Sequence, residues 1–468
     1  MRITQNFTDR KYLKNNSRLL SGYTKSMLKI ESQMDYFRSS ENAINASKAM
    51  TVRKSLQDLG MYTSNLKMTK GLYEAAEQNL YTLANKVYIN VTEKIDQACN
   101  GTYNQDELDV IAHELDQYAD SALKTLNSDY AERRLFGGTN NSSPAFSTLK
   151  EDDGVTDARD AVTGHRIVTY NGVPVDDITP DGAHYMERIS EADYNAKVAN
   201  GEADTVVRVA YDEGYDTEIN EAEYNTISAN DPDSVKAVTR ETENGPVTKY
   251  YKTNYRYYTG EAATEAEYDA SKGDGSIVKV DGKYIKTANV GGSKPIYVDI
   301  GLGIKYNAEG EVQVGTAVDV SMNGAKITGT GLTTVKASVN SDYNENDPFS
   351  KASYDKQFSQ NFVQLIFDTA DALKAGDISR ANAAIDLLDK SNTGILTEIT
   401  TLGAKYKSTE FYLDKDEDYK ASLLERQNDV EGCDMNEEIT NMDAMQAAYN
   451  AMLQLSANIL PRSIFDFI

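Results

Sequence analysis

The stretch Val52–Val87, VRKSLQDLGMYTSNLKMTKGLYEAAEQNLYTLANKV, sets Val52, Leu59, Leu66, Tyr73, Leu80 and Val87 seven residues apart, with Tyr62, Ala76 and Leu83 three residues after members of that row. Apolar residues at this spacing form one seam along a helix that needs a partner. Gly60 and Gly71 weaken the helix without breaking it, and Asn100-Gly101 reads as its stop. Beyond the stop, Asn104 and Glu107 have capping-box spacing and open a helix through Leu108, Ile111, Leu115, Ala119, Ala122 and Leu126. The two segments should fold back as an antiparallel hairpin.

Towards the N-terminus a similar row appears at Leu13, Leu20, Met27 and Met34, with Tyr23, Ile30 and Phe37 three residues after its last three members. This predicts a coiled-coil seam. The C-terminal third shows helical spacing at Phe362, Leu365, Ile366 and Thr369, again at Ala381, Ile385 and Leu388, and in a longer stretch from Gly394 towards Val430. A last segment opens at Asp434 with Glu437 in capping-box spacing. It runs through Met435, Ile439, Met442, Tyr449, Leu453, Ser456 and Leu460, with one gap at Gln446, and ends in apolar Ile464, Phe465, Phe467 and Ile468. An isolated apolar stripe leaves its face in water, so these seams call for burial against each other or against other copies.

Between about 146 and 348 the pattern changes to β-branched runs and Gly, Asn and Asp turns. Residues 151–290 carry 14 basic and 29 acidic residues, so this part is read as acidic and solvated. It holds a repeat: Ser190-Glu191-Ala192-Asp193-Tyr194-Asn195, Asn220-Glu221-Ala222-Glu223-Tyr224-Asn225 and Thr264-Glu265-Ala266-Glu267-Tyr268-Asp269. Each unit begins with an N-cap residue and has an acid three positions later, so each starts a short helix, with the tyrosine placed to staple against the residue before the cap. Strand-like runs follow each one. The irregular offsets between units suggest small inserted modules, not a solenoid.

The 468 residues suit two to four domains. With 48 basic against 73 acidic residues the formal charge is −25, which repels phosphate backbones and anionic headgroups and argues against nucleic-acid and membrane partners. No apolar run of 18 residues exists, and the polar start leads us to expect neither a membrane span nor a cleaved signal peptide.

Chemistry-bearing motifs are sparse. His113-Glu114 lacks the second histidine of a zinc helix, and Asp342, Asn344 and Asn346 lack the glycine and glutamate of a calcium loop, with Asp347 and Ser353 in those places. Gly301-Leu302-Gly303 and Gly329-Thr330-Gly331 have no third glycine and read as strand ends. The tyrosines at 250, 251, 255, 257 and 258 suit sheet packing better than a ligand platform. Cys99 and Cys433 read as isolated thiols. No catalytic, cofactor-binding or metal-binding residue is singled out.

Several short motifs in order carry a resemblance: Met1-Arg2-Ile3-Thr4-Gln5; Ser40-Glu41-Asn42 with Ala46, Ala49 and Val52-Arg53; Tyr62 with Asn65; Glu77 with Leu80; Asn100-Gly101-Thr102; Ala112-His113-Glu114-Leu115; Leu135-Phe136-Gly137-Gly138-Thr139; Pro144-Ala145-Phe146; Leu402-Gly403-Ala404; and Ser463 to Ile468. Together they resemble the hook-associated protein 3 family, bacterial flagellar axial proteins of the hook-filament junction related to flagellin. The resemblance covers roughly residues 1–150 and 350–468. It departs where the family's common Ser-Asp-Asp-Pro is Ser40-Glu41-Asn42-Ala43.

The resemblance implies an α+β multidomain chain: a terminal coiled coil from 1–40 with 435–468, a helical bundle stem from 41–150 with 349–434, and a variable β-rich outer domain at 151–348. It implies a structural, non-enzymatic role without cofactors, outside the cell on the flagellum after export by the flagellar type III apparatus. The implied partners are the first junction protein, flagellin, further copies in a ring and an export chaperone. The assembly interface would use Leu13, Leu20, Tyr23, Met27, Ile30, Met34, Phe37, Met442, Tyr449, Leu453, Leu460, Ile464, Phe465, Phe467 and Ile468. A filament flagellin is the alternative, and a surface adhesin or glycan-binding role for the central domain is a second.

Overall fold

The structure, a computed structural model, describes residues 2–459 apart from 152, 243, 244, 293, 309, 311, 314 and 336–355. The chain is α+β. Helices α1 (Arg2–Ser32), α2 (Ala43–Thr82), α3 (Tyr88–Asn100) and α4 (Gln105–Leu126) come first. Short strands and small helices follow: α5 (Glu191–Ala199), α6 (Glu221–Asn230), α7 (Glu265–Ser271) and α8 (Gly324–Thr328). Then come α9 (Phe362–Lys374), α10 (Ile378–Glu431) and α11 (Met435–Ile459). Two compact units contain them, Met1–Lys67 with Phe411–Ile468 and Met68–Glu410.

In the first unit α1 packs along α11. The helix ends are tied together by backbone bonds: Asp35 N–H donates to Glu431 O at 2.9 Å and Cys433 N–H to Gln33 O at 3.0 Å. A smaller cluster of Val52, Leu59 and Leu423 is buried between the parts of α2 and α10 that belong to this unit.

The core of the second unit is built on the seven-residue row, with Tyr73, Leu80 and Val87 buried. A five-residue π-helical turn, Leu83–Val87, separates α2 from α3. Its wider turn re-phases the apolar stripe, so that Val91, Ile95 and Ala98 remain inside where a continuous α-helix would rotate them away. Helix α3 does end at Asn100, but Gly101 is extended (φ −93°) and not left-handed. The capping box of α4 forms in both directions, each bond 3.0 Å. The two C-terminal segments separated at Gly394 in the sequence form a single helix, α10, because no neighbour crowds Gly394 or Gly403 and the flanking periodicity is unbroken.

This core does not stop at residue 150. Val168, Tyr170, Val175, Ile178, Val290, Met322 and Ile327 pack with Phe362, Leu365 and Ile366 of the almost wholly buried α9. The Phe136-Gly137-Gly138-Thr139 segment joins these pieces. Gly138 has φ +63° and a Cβ there would collide with the Gly292 carbonyl; Gly138 N–H donates to Met322 O at 3.0 Å and Thr139 N–H to Gly292 O at 3.1 Å.

The three repeated hexapeptides head three copies of one module. Each has a short strand, a capped helix and two further strands, with the third strand central in an antiparallel sheet. One uses Glu187–Ile189, α5, Val206–Ala210 and Tyr255–Thr259. The next uses Thr217–Ile219, α6, Val235–Thr242 and Gly245–Lys252, and the last Glu261–Ala262, α7, Ile277–Val280 and Lys283–Lys286. The middle module is inserted between the second and third strands of the first, which explains the unequal spacing of the hexapeptides.

A tyrosine on each central strand pairs with the residue before the cap: Tyr257 with Ile189, Tyr250 with Ile219, and Tyr284, whose carbonyl accepts from Ala263 N–H at 2.9 Å. The ring of that tyrosine packs on the hexapeptide tyrosine, with centroids 4.9 Å apart for Tyr194–Tyr257, 4.7 Å for Tyr224–Tyr250 and 5.1 Å for Tyr268–Tyr284. The Tyr284 hydroxyl donates to Glu265, which opens its helix, at 3.1 Å, and burial together with the opening Glu191 and Glu221 holds the Tyr257 and Tyr250 hydroxyls above the usual phenol value. The cap, the acid three positions on and the tyrosine of the hexapeptide thus each have a contact, while the alanine is exposed in all three copies. The reciprocal box forms at Asn220 and Thr264 but not at Ser190, where Asp193 is one methylene shorter and takes the serine hydroxyl instead, at 2.7 Å.

Excising Asp216–Thr253 and closing the gap with two glycines should leave a folded protein, because Asn254 Nδ2 already donates to Tyr215 O at 2.6 Å and Tyr211 N–H to Asn254 O at 2.9 Å. A thermal midpoint within about 5 °C of the parent is expected; loss of cooperative unfolding would show that the middle module supports the others. A second prediction concerns Asp176, whose enclosed carboxyl is pushed up to about 7, chiefly by burial and next by Asp368. The folded state then holds a proton that the unfolded chain releases near pH 4, so stability falls as pH rises from about 4 to about 7 and is level above. Asp176→Asn should match the wild type near pH 4 and exceed it by about 4 kcal/mol at pH 8; denaturant midpoints differing equally at both pH values would contradict this.

Candidate assembly surface

The pairing of α1 with α11 follows from two 3-4 stripes. On α1 the covered or half-covered positions are Tyr12, Asn16, Leu19, Tyr23, Ser26 and Ile30; on α11 they are Met435, Glu438, Met442, Met445, Tyr449 and Met452. Close approach is allowed at Gly22, where an added Cβ would lie 2.8 Å from Met445 Sδ. Polar contacts fix the register. Ser26 Oγ donates to Glu438 Oε1 at 2.5 Å, Lys29 Nζ lies 3.7 Å from Glu438 Oε2, and Tyr12 hydroxyl donates to Met452 O at 3.1 Å. Burial would lower the Lys29 ammonium, but Asp35 and Glu438 outweigh it and hold it above the ordinary lysine value.

Of the sequence-selected residues, Tyr23, Ile30, Met34, Met442 and Tyr449 are half-buried. Leu13, Leu20 and Met27 are not: they are 63%, 46% and 52% exposed. Phe37 and Leu453 are exposed as well. The row at 13, 20 and 27 lies one residue on from 12, 19 and 26, about 100° around the helix, so the apolar band of α1 is two stripes wide and α11 covers one of them. Helix α11 has the same offset, with Ile439 and Leu453 exposed next to covered Glu438 and Met452. Leu460, Ile464, Phe465, Phe467 and Ile468 lie outside the described residues.

Sequence reasoning missed Ser26, Lys29 and Glu438 because an apolar template skips polar seam positions. It could have found Gly22, since a glycine inside a strongly periodic helix signals close packing. It also missed Glu431, whose nearly buried carboxylate meets Arg53 at 2.7 Å and the Gln427 amide at 2.9 Å.

Other candidate chemistry remains dispersed. Among the described residues no group of three or more His, Cys, Asp and Glu could hold a metal ion. His113 stands exposed on α4, and Cys99 and Cys433 are free thiols raised above their usual value by burial. No helix among the described residues is long and apolar enough to cross a membrane.

No protein-family model matches the sequence, and no curated protein does. Solved structures that resemble the chain are flagellar hook-associated proteins. One described as such from Vibrio parahaemolyticus shares 10% identity at a TM-score of 0.42, covering 84% of this chain and 100% of that one. Flagellar hook-associated protein-3 of Legionella pneumophila shares 13% at 0.35 over 81% and 99%, and FlgL of Xanthomonas campestris 14% at 0.34 over 80% and 98%. At this overlap and identity no residue role passes from these proteins to this chain.

Proposed function

We propose that the chain is a structural axial protein of the bacterial flagellum, joining the hook, through the first junction protein, to the flagellin filament. The observation that carries this is the second apolar stripe of the α1/α11 pair, in which Leu13, Leu20 and Met27 stand in water. Burying each such side chain is worth about 1.5–3 kcal/mol, so contact with another subunit is strongly favoured over solvent. The ordered motifs from Met1-Arg2-Ile3 to the apolar C-terminus supply the flagellar context.

In this reading the two terminal helices form a coiled coil, and the interface combines the exposed Leu13, Leu20, Met27, Phe37 and Leu453 with Tyr23, Ile30, Met34, Met442, Tyr449 and the tail Leu460, Ile464, Phe465, Phe467 and Ile468. Subunits join in a ring between the first junction protein and flagellin, and an export chaperone shields the tail before type III export. Of the outer segment 151–348, the three modules at 187–286 face solvent, and their acidity keeps them out of the interface. The chain works by assembly and not by catalysis.

Two sets of variants separate assembly from folding. Leu13→Gln, Leu20→Gln and Met27→Gln combined should leave the helical melt of the isolated protein unchanged, yet cells secreting it should shed filaments and lose motility. Glu438→Ala should instead loosen α1 in the isolated protein by about 1–3 kcal/mol, read as faster hydrogen exchange, because Ser26 and Lys29 lose their partner. Full motility with the secreted triple variant would overturn the proposal. Unaided growth of long filaments from the purified wild type would favour a filament flagellin.

A further inference from the structure

Six buried polar atoms without a hydrogen-bond partner belong to residues around one cavity in the Met68–Glu410 unit: the Nε atoms of Arg166, Arg188, Arg256 and Arg380, Nδ1 of His165 and Oδ1 of Asp176. The cavity measures about 30 Å³, room for a water or two or for one monatomic ion. Buried polar groups are nearly always satisfied, and four of these six atoms are Nε–H donors, so the space suits a group that accepts hydrogen bonds.

The charge balance indicates its sign. Arg166 is paired with Asp116 and Asp371, and Arg188 with Asp160 and Asp177. Arg256 and Arg380, each about 6% exposed, have no carboxylate at ion-pair distance among the described residues. Both lean on one glutamine instead: Arg256 Nη1 donates to Gln357 Oε1 at 3.0 Å and Arg380 Nη2 to Gln357 O at 2.7 Å. Their remaining surfaces rest on rings, Arg256 on Tyr211 and Arg380 on Phe358, with the guanidinium carbons 3.9 and 4.4 Å from the centroids. Neither guanidinium lacks counter-charge, since Asp160 and Asp176 act on Arg256 and Asp368 on Arg380, but each acts from beyond ion-pair distance.

The carboxyls that line the cavity are committed or weakly charged. Asp160 accepts the Tyr211 hydroxyl and the backbone N–H groups of Val162 and Thr163, and Asp368 accepts the Gln364 amide at 2.7 Å. Burial raises the Asp176 carboxyl to about 7 and that of Asp368 to about 6, so Asp176 carries only part of its charge near neutral pH while Asp368 is mostly ionised.

We propose that this cavity binds one small monovalent anion of chloride size, held by Arg256, Arg380 and the His165 ring. An entry path exists. Thr163, His165 and Arg380 also line an open cleft of about 560 Å³ beside the cavity, so an ion can arrive from solvent without unfolding the unit. The ion would neutralise the place where the Arg166 and Arg256 segments meet α9 and α10, a role the assembly reading does not require.

The test compares the full-length protein in sodium chloride, sodium bromide and sodium gluconate at matched ionic strength. The thermal midpoint should rise by about 2–5 °C, saturably, in the two halides and not in gluconate, whose anion is too large for the cavity. Crystals grown in bromide should show an anomalous peak between Arg256 and Arg380, a readout that stands even if Arg380→Gln does not fold. Where that variant folds, its halide response should vanish. Equal midpoints in all three salts, or a cavity holding only water in bromide crystals, would overturn the proposal.

Discussion

One helix can cover only one stripe of another, and the consequences of that limit run through this protein. Helix α1 has apolar residues on two adjoining stripes, and α11 takes the one at Tyr12, Leu19, Tyr23 and Ile30, leaving Leu13, Leu20 and Met27 outside. Polar residues within the covered seam set the alignment. Ser26 and Lys29 on Glu438 allow one register, since a slip of a full turn would bury the Glu438 carboxylate against apolar neighbours without a partner. The pair is therefore specific inside and still apolar outside.

The second unit follows a different logic, in which local rules are repeated. Three modules use the same kind of N-cap, the same opening glutamate and the same pair of tyrosines, so the second and third are stabilised largely by contacts within about 40 residues, and the first closes over the inserted second. Such units tolerate insertion, because the strand ends at Ala210 and Tyr255 are already paired whether or not a module lies between them. Long-range order is concentrated elsewhere, at the Gly138 crossing and around Gln364, whose side chain accepts from Val168 N–H at 2.7 Å and donates to Arg166 O at 2.6 Å. These contacts bind the first strands of the middle segment to α9 and draw residues up to 178 into the helical core.

What could be read in the sequence was what depends on neighbours in the chain. The caps at Asn104, Asn220 and Thr264 formed as their spacing predicts, and the helices around Leu59, Leu115 and Leu365 follow their periodicity. The heptad row on α1 was legible, but which stripe would meet α11 was not: rows at 12 and 13 differ by one residue, and hydropathy ranks leucine above the tyrosine and serine that the partner selects. The nesting of the modules was hidden because strand pairing, such as Tyr257 with Ile189, spans 68 residues of separation in the chain with no local mark. The arginine-lined cavity was hidden for a related reason, since Arg166, Arg256 and Arg380 come from three distant segments and only the fold brings them together.

The central claim is that the uncovered stripe of the terminal helices is an interface between subunits. Hydroxyl-radical footprinting of the free protein and of the same protein in isolated flagella tests it most directly. Leu20 and Met27 should react readily in the free chain and be protected in flagella, while Met445 and Tyr449 react slowly in both. Equal reactivity of Leu20 and Met27 in the two states would contradict it.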